Sequence, residues 1–294
     1  MIKVCHMTSV HKADDGRIFQ KQCSSLAKAG YEVSLVAGGE SYEENGVHIV
    51  GVGELDGGRI KRMLKLSRRV YKKALEQDAD IYQIHDPELL LYALKLKRRG
   101  KTVIFDSHEK YTDLMKDKPY LPGWSTGIVA GLYGAYERSV LGKIDAVIFP
   151  CLKNGKHPFA GHCRRAVTVD NFPILEELYD RYDSSIPKKP RSICHIGSLT
   201  RSRGITNVVK AAYASDTRAY LAGSFSPEEY RSSLESMPEF ANTSYLGELD
   251  RDGVCRLLQE CQIGMATLLN IGQYNQYDNL ATKVYEYMLS LIHI

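Results

Sequence analysis

No stretch of about 18 consecutive apolar residues occurs in this 294-residue sequence, so no segment is long and apolar enough to read as a membrane-spanning helix. The opening Met-Ile-Lys-Val-Cys-His-Met is too short and too polar to be the apolar core of a secretory signal, which argues against export by that route. C-x-x-C spacing is absent too. The seven cysteines, Cys5, Cys23, Cys151, Cys163, Cys194, Cys255 and Cys261, are odd in number and scattered, which fits a reducing cytoplasm better than a disulfide framework. Excess charge of one sign is also scarce. The 39 basic and 35 acidic residues leave a formal charge of +4, less than a nucleic-acid-binding protein usually carries, so no nucleic-acid partner is expected. The small basic excess suits phosphorylated ligands or an anionic lipid surface. Any membrane contact is expected to be peripheral, at the inner face of the cell membrane, with Tyr120 to Tyr136 the aptest patch and a buried helix the alternative for that segment. No repeat of fixed period, low-complexity tract or G-x-G-x-x-G fingerprint appears.

What is present is a globular composition, 44% apolar and 25% charged, over a length that accommodates two ordinary domains. Short β-branched runs alternate with helical patterns. Strands are expected at Ile2–Met7, Glu32–Ala37, Val47–Val52, Ile81–His85, Thr102–Asp106, Ala146–Phe149 and Ala166–Val169, and helices at Ile18–Ala29, Ile60–Glu76, Leu89–Lys97 and Val129–Leu141. The pattern restarts with strands at Ser192–Ile196, Ala219–Leu221, Thr243–Leu246 and Ile263–Ala266, and with helices beginning at Gly204, Pro227 and Asp250. This alternation implies an α/β fold of two doubly wound, mostly parallel sheets. The Pro- and charge-rich stretch between them gives an N-terminal domain at 1–172, a linker at 173–190 and a C-terminal domain at 191–294.

Open parallel sheets bind ligands beyond the carboxyl ends of their strands, and most unusual polar clusters of the chain fall there. His11-Lys-Ala-Asp-Asp15-Gly16-Arg17 leads into a helix whose start could face phosphate or sugar hydroxyls, with a simple Asp-capped helix as the alternative. His85-Asp86-Pro-Glu and Asp106-Ser-His108-Glu109 each follow a strand and bring histidines and carboxylates to one lip. Gly197-Ser198-Leu-Thr-Arg201-Ser-Arg203-Gly204 offers two guanidinium forks and a helix start, a setting for a diphosphate. Gly223 and Gly247 also follow strands. Near the end, Asp278 and Glu286 stand eight positions apart with Lys283 between them, where a carboxylate could accept from two ribose hydroxyls and a lysine could meet phosphate. Asp78-Ala-Asp80 and Asp250-Arg-Asp252 resemble metal-binding D-x-D pairs but precede a strand and cap a helix respectively, and Cys151, His157, His162 and Cys163 lack the spacing of a structural zinc site. None of these residues is expected to hold a metal, and no cofactor is expected.

As an ordered set, His11–Gly30, His85–Leu90, Asp106–Glu109, Gly197–Gly204 and Asn279–Met288 resemble the bacterial glycosyltransferases of family 4. The resemblance implies the GT-B fold, two Rossmann-like domains facing across a cleft, and a metal-independent transfer with retention of anomeric configuration. It implies a nucleotide-diphosphate sugar bound by Gly16, Ser198, Arg201, Arg203, Gly223, Asp278, Asn279, Lys283 and Glu286. Glu286 corresponds to the ribose-binding second acid of an E-x(7)-E motif, whose first acid is here the shorter Asp278; Ser198 and Arg203 stand where the family usually has an arginine and a lysine on the diphosphate. The acceptor, a glycan or lipid-linked sugar, is implied on the side of His11, Asp15, Arg17, His85 and Asp86, with His108 and Glu109 nearest the reacting sugar. Leaving-diphosphate stabilisation then matters more than any protein base. The implied enzyme is a hexosyl- or related transferase of polysaccharide assembly. A nucleotide-sugar 2-epimerase of the same fold, or an inactive nucleotide-sugar-binding fragment or subunit, remains the alternative.

Family members are expected to continue beyond Glu-Tyr-Met with a further strand and helices. Leu289-Ser-Leu-Ile-His-Ile294 is instead also the translation of a transposon-end adapter used in sequencing libraries, so the hexapeptide is expected to be a sequencing scar on a truncated second domain.

Overall fold

Strand β2 (Glu32–Ala37) is buried at every position after Glu32, apolar there except at Ser34, as befits a parallel strand covered on both faces. The computed structural model describes residues 1–53, 59–112, 123–270, 277–278 and 280–290. Among them β2 belongs to an eight-stranded sheet ordered β3-β4-β2-β1-β5-β6-β7-β8. Its other members are β1 (Lys3–Met7), β3 (Tyr42–Glu44), β4 (Val47–Gly51), β5 (Ile81–Ile84), β6 (Thr102–Asp106), β7 (Ala146–Phe149) and β8 (Ala166–Thr168). All neighbours pair in parallel except β3 with β4. The short antiparallel β3 is not in the sequence expectation, although Asn45-Gly46 carries its signal. Both residues have positive φ, +53° and +73°, as a two-residue hairpin turn matching strand twist requires.

The expected helix Ile18–Ala29 is two pieces, a wider π-helical segment Gly16–Cys23 followed by α-helix Ser24–Lys28. Asp15 starts it by accepting from the amides of Arg17 and Ile18, each at 2.9 Å. Ile18, Phe19 and Cys23 then pack on Val33, Leu35 and Ile49. The chain order reverses at β1, with β2 on one side and β5 on the other, so the loops after β1 and β5 flank a topological switch point.

The chain divides at Asp170, with Asn171 opening the second unit. Residues 173–190, read from the sequence as a linker, group with this unit. Within them the helix Leu175–Tyr179 places Leu178 in a core with Cys194, Cys255, Leu258 and Tyr287. The second sheet, among the described residues, is four-stranded and parallel in the order β11-β10-β9-β12. These strands are β9 (Ser192–Ile196), β10 (Arg218–Ala222), β11 (Thr243–Tyr245) and β12 (Ile263–Gly264). Helices Ile205–Ala214, Glu229–Glu235, Arg251–Glu260 and Thr282–Leu289 accompany them. The switch point here lies between β9 and β12. No helix of the described residues is long and apolar enough to cross a membrane. Asn279, Leu291–Ile294 and the Tyr120 end of the segment read as a membrane patch lie outside the described residues.

Candidate functional site

In the first unit, Asp106 ends β6 with no exposed surface and is the anchor of a polar cluster beneath the switch point. Arg17 grips it twice, Nη2 to Oδ1 at 2.9 Å and Nε to Oδ2 at 3.2 Å, while Nη1 donates to the Val169 carbonyl at 3.0 Å. Gln22 Nε2 also donates to Oδ2, at 2.6 Å, and is itself oriented by Gln83 Nε2 at 2.7 Å. A fully buried carboxylate costs several kcal/mol unless paired this completely. Burial works to raise the Asp106 pKa, but His85 and Arg17 outweigh it and hold the carboxyl far below its ordinary range.

Three imidazoles line up beside it. His6 Nδ1 is 2.9 Å from His85 Nε2, and His85 Nδ1 is 3.2 Å from His108 Nε2. His85 and His108 also face Asp106 Oδ2 at 3.5 and 3.7 Å. Burial pushes His6 down to about 3 and His108 to about 4, so both rings are neutral at pH 7. Two histidines and a carboxylate within 4.8 Å make a conceivable cation-ligand set, but both Asp106 oxygens are engaged by Arg17.

Above this layer Asp86 organises the loop after β1. Its Oδ2 accepts from the Ser9 amide at 2.6 Å, the Thr8 hydroxyl at 2.8 Å and the Val10 amide at 3.2 Å, and its Oδ1 meets His11 Nδ1 at 3.0 Å. Burial opposes ionisation of Asp86, yet His11 and these donors keep its pKa below the ordinary value; His11 in turn is raised by Asp86 against the effect of burial. The His11 ring lies 4.7 Å from that of His108, so the loop after β1 also meets the loop after β6.

The second unit builds a different site at the end of β9. His195 Nδ1 donates to the Met265 carbonyl at 3.0 Å, which leaves Nε2 to accept from Lys283 Nζ at 2.8 Å. Gly197, two residues after His195, has φ +109°, and a Cβ there would sit 3.7 Å from Lys283 Nζ. Burial, then the nearby Arg203 charge, lower Lys283 to about 7, so its charged form is disfavoured in the ligand-free site. Arg251 Nη1 holds Glu286 Oε1 at 2.7 Å. Gly204 cannot be replaced without backbone collision, because a Cβ would lie 2.1 Å from the Thr267 carbonyl. The Arg203–Gly204 turn is further tied by the Thr267 hydroxyl, which donates to the Arg203 carbonyl at 3.0 Å.

The structure thus groups His11, Arg17, His85, Asp86 and His108 in one place and Arg203, Lys283 and Glu286 in another. Several side chains have structural duties there. Asp15 caps its helix, Arg17 is buried against Asp106, and Asp86 is turned inward on the Thr8–Val10 loop. Arg201 is exposed and lies over the Tyr230 ring at 4.8 Å. Tyr230 Oη accepts from the Thr206 amide at 3.0 Å, so that helix-start donor, one of those expected to face a diphosphate, is already used. Gly16, Ser198, Glu109 and Asp278 are exposed, and Gly223 sits hard against Gly197, whose carbonyl oxygen a Cβ would approach to 2.1 Å. The residues missed from sequence are His6, Gln22, His195 and Arg251. For the two histidines the available signal was a polar residue inside an otherwise buried strand.

Two doubly wound units, each carrying a polar site at its switch point, define a GT-B protein. Residues 16–153 match the family model of Glycosyltransferase Family 4, so the first unit is a domain of that family and the chain is a glycosyltransferase of GT-B fold. Solved structures agree on the fold. Sucrose-phosphate synthase from Thermosynechococcus elongatus superposes with a TM-score of 0.63 at 10% identity, covering 92% of this chain and 78% of that one. An α,α-trehalose-phosphate synthase (UDP-forming) from Burkholderia xenovorans, in complex with glucose-6-phosphate, gives 0.64 at 12% identity over 99% and 82%. The lipopolysaccharide outer core galactosyltransferase WaaB, in its apo form, gives 0.57 at 11% identity over 99% and 79%. No curated protein sequence matches the chain.

Proposed function

We propose that the protein is a retaining glycosyltransferase that moves a sugar from a nucleotide-diphosphate sugar to a glycan or lipid-linked acceptor, with no metal or further cofactor. The observation that carries this reading is Lys283, a buried amine at the β9 switch point beside the glycine turn and Arg203, with Glu286 held one helical turn away by Arg251. Lys283 and Arg203 neutralise the diphosphate and stabilise it as leaving group, while Glu286 accepts from the ribose hydroxyls. Ser198, Arg201, Gly223, Asp278 and Asn279 complete the donor side in this reading. His108, with Glu109, stands nearest the sugar, and the His11–Asp86 loop receives the acceptor.

A peripheral membrane contact belongs to the same proposal. Helix Arg59–Glu76 exposes Lys65, Arg68, Arg69, Lys72 and Lys73 on one face, and the helix Gly123–Leu141 exposes Ile128 and Leu132. Such faces suit an anionic lipid surface.

The test is a donor screen that measures nucleoside diphosphate release from a panel of UDP-, GDP- and ADP-sugars, with and without lipid-linked acceptors. Acceptor-dependent release from one donor is the expected result. Release that needs no acceptor, or none from any donor, overturns the reading.

A further inference from the structure

The row of three histidines has a direction. A neutral imidazole carries one N–H and one lone pair, so placing the proton on one ring of a hydrogen-bonded row dictates the others. His6 is wholly buried, and its Nε2 has no hydrogen-bond partner among the described residues. An N–H buried without an acceptor is a rare and costly arrangement. Nε2 therefore carries the lone pair, and the His6 proton sits on Nδ1, from which it donates to His85 Nε2 at 2.9 Å. His85 must then hold its own proton on Nδ1, donating to His108 Nε2 at 3.2 Å with Asp106 Oδ2 as a second acceptor at 3.5 Å. His108 is left with its proton on Nδ1. Its ring is the only one of the three with exposed surface, 15% of the side chain against none for His85.

We propose that His6 is a positioning residue which, acting through His85, fixes His108 as the Nδ1–H tautomer, so that His108 offers a ligand oxygen a hydrogen-bond donor and has no free lone pair to act as a general base. The ligand oxygen is a hydroxyl or phosphoryl oxygen of the bound sugar substrates; this use of the row rests on the transferase reading, whereas the row itself does not. Asp106 alone cannot set the direction, because it lies within reach of both His85 Nδ1 and His108 Nε2, at 3.5 and 3.7 Å. One proton belongs between those two nitrogens, and only the unpartnered end at His6 decides which ring owns it. A cation held by His85, Asp106 and His108 would need the His85 Nδ1 lone pair. That reverses the row and strands a proton on His6 Nε2.

The imidazole ¹⁵N shifts and two-bond ¹H–¹⁵N couplings of the full chain identify the tautomer directly. The wild type is expected to show Nδ1–H at His108. His6→Leu removes the directing donor, so Nε2–H signal appears at His108 and turnover falls roughly tenfold, the worth of about one hydrogen bond, with KM changed less than kcat. His6→Asn places an amide donor where Nδ1 stood and is expected to restore the His108 signal and most of the turnover. An Nε2–H tautomer in the wild type overturns the proposal, as does His6→Leu with tautomer and turnover both unchanged. Equal losses in the Leu and Asn variants overturn it as well, since they mark His6 as packing only. If no nucleotide sugar is turned over while the spectra show the expected row, the transferase reading fails and the tautomer assignment stands.

Discussion

Asp106 and Lys283 are both buried ionisable groups with a lowered pKa, Asp106 because its charged form is paired and Lys283 because burial and the Arg203 charge disfavour its charged form. Removing the carboxylate by Asp106→Ala leaves the Arg17 guanidinium buried without its counter-ion, and urea titration should show a loss of roughly 3–5 kcal/mol at neutral pH. The Asp106 pKa is lowered by folding, so its contribution is complete above the unfolded value of about 4 and is lost as pH falls below it. The wild-type and variant curves should accordingly converge in acid. Lys283 is lowered from 10.5 to about 7, so the ligand-free site is increasingly uncharged above neutrality. Nucleotide-sugar affinity should weaken as pH rises from 7 to 9, with proton uptake visible by calorimetry in buffers of different ionisation enthalpy. Lys283→Arg should flatten that dependence. Stability of the ligand-free chain moves the other way, rising between pH 7 and 10.5, because there the unfolded state binds the extra proton. The sequence marks both residues as members of polar clusters at strand ends or a helix start, but not their burial, which depends on His195 and Arg17 being placed against them.

At the scale of elements, strands were the most legible part. β2, β6, β7 and β9 coincide with their sequence expectation at both ends, since β-branched and apolar runs bounded by polar turns leave little alternative. The π-helical start at Gly16–Cys23 was not legible. Its extra residue per turn accompanies a tertiary demand, the reach of Arg17 and Gln22 to Asp106, that no local pattern encodes. The donor-side helix Thr282–Leu289 depends on another tertiary detail. Tyr287 lies flat on Gly264 of β12, where a Cβ would come within 2.4 Å of the ring Cγ. The root of a buried ring cannot swing aside, so Gly264→Ala should cost about 1–3 kcal/mol in denaturant titration. It should also weaken UDP binding by displacing the helix that carries Lys283 and Glu286. Retention of both stability and affinity would show that the helix tolerates the shift.

The whole molecule is two units with separate cores, and its response to ligand should be correspondingly uneven. Saturating UDP, at about 100 times Kd, stabilises the state that binds it by roughly 2.7 kcal/mol. Hydrogen exchange should slow chiefly in β9, β12 and the Thr282–Leu289 helix, with β1 and β6 near their ligand-free rates; uniform protection of 1–170 would contradict a nucleotide site built within the second unit. The Family 4 region at 16–153 was legible because its His, Asp and Arg clusters recur at strand ends in a set order. The arrangement of those clusters was less so, because it joins residues far apart in the chain. Arg17 illustrates how far: its partners lie 89 and 152 residues downstream, at Asp106 and Val169. At a synthesis rate of about 5–20 residues per second, this guanidinium waits roughly 8–30 s for its last acceptor to be made. The first helix of the nascent chain therefore emerges with a cation it cannot yet bury, and its final seating is timed by translation of β8.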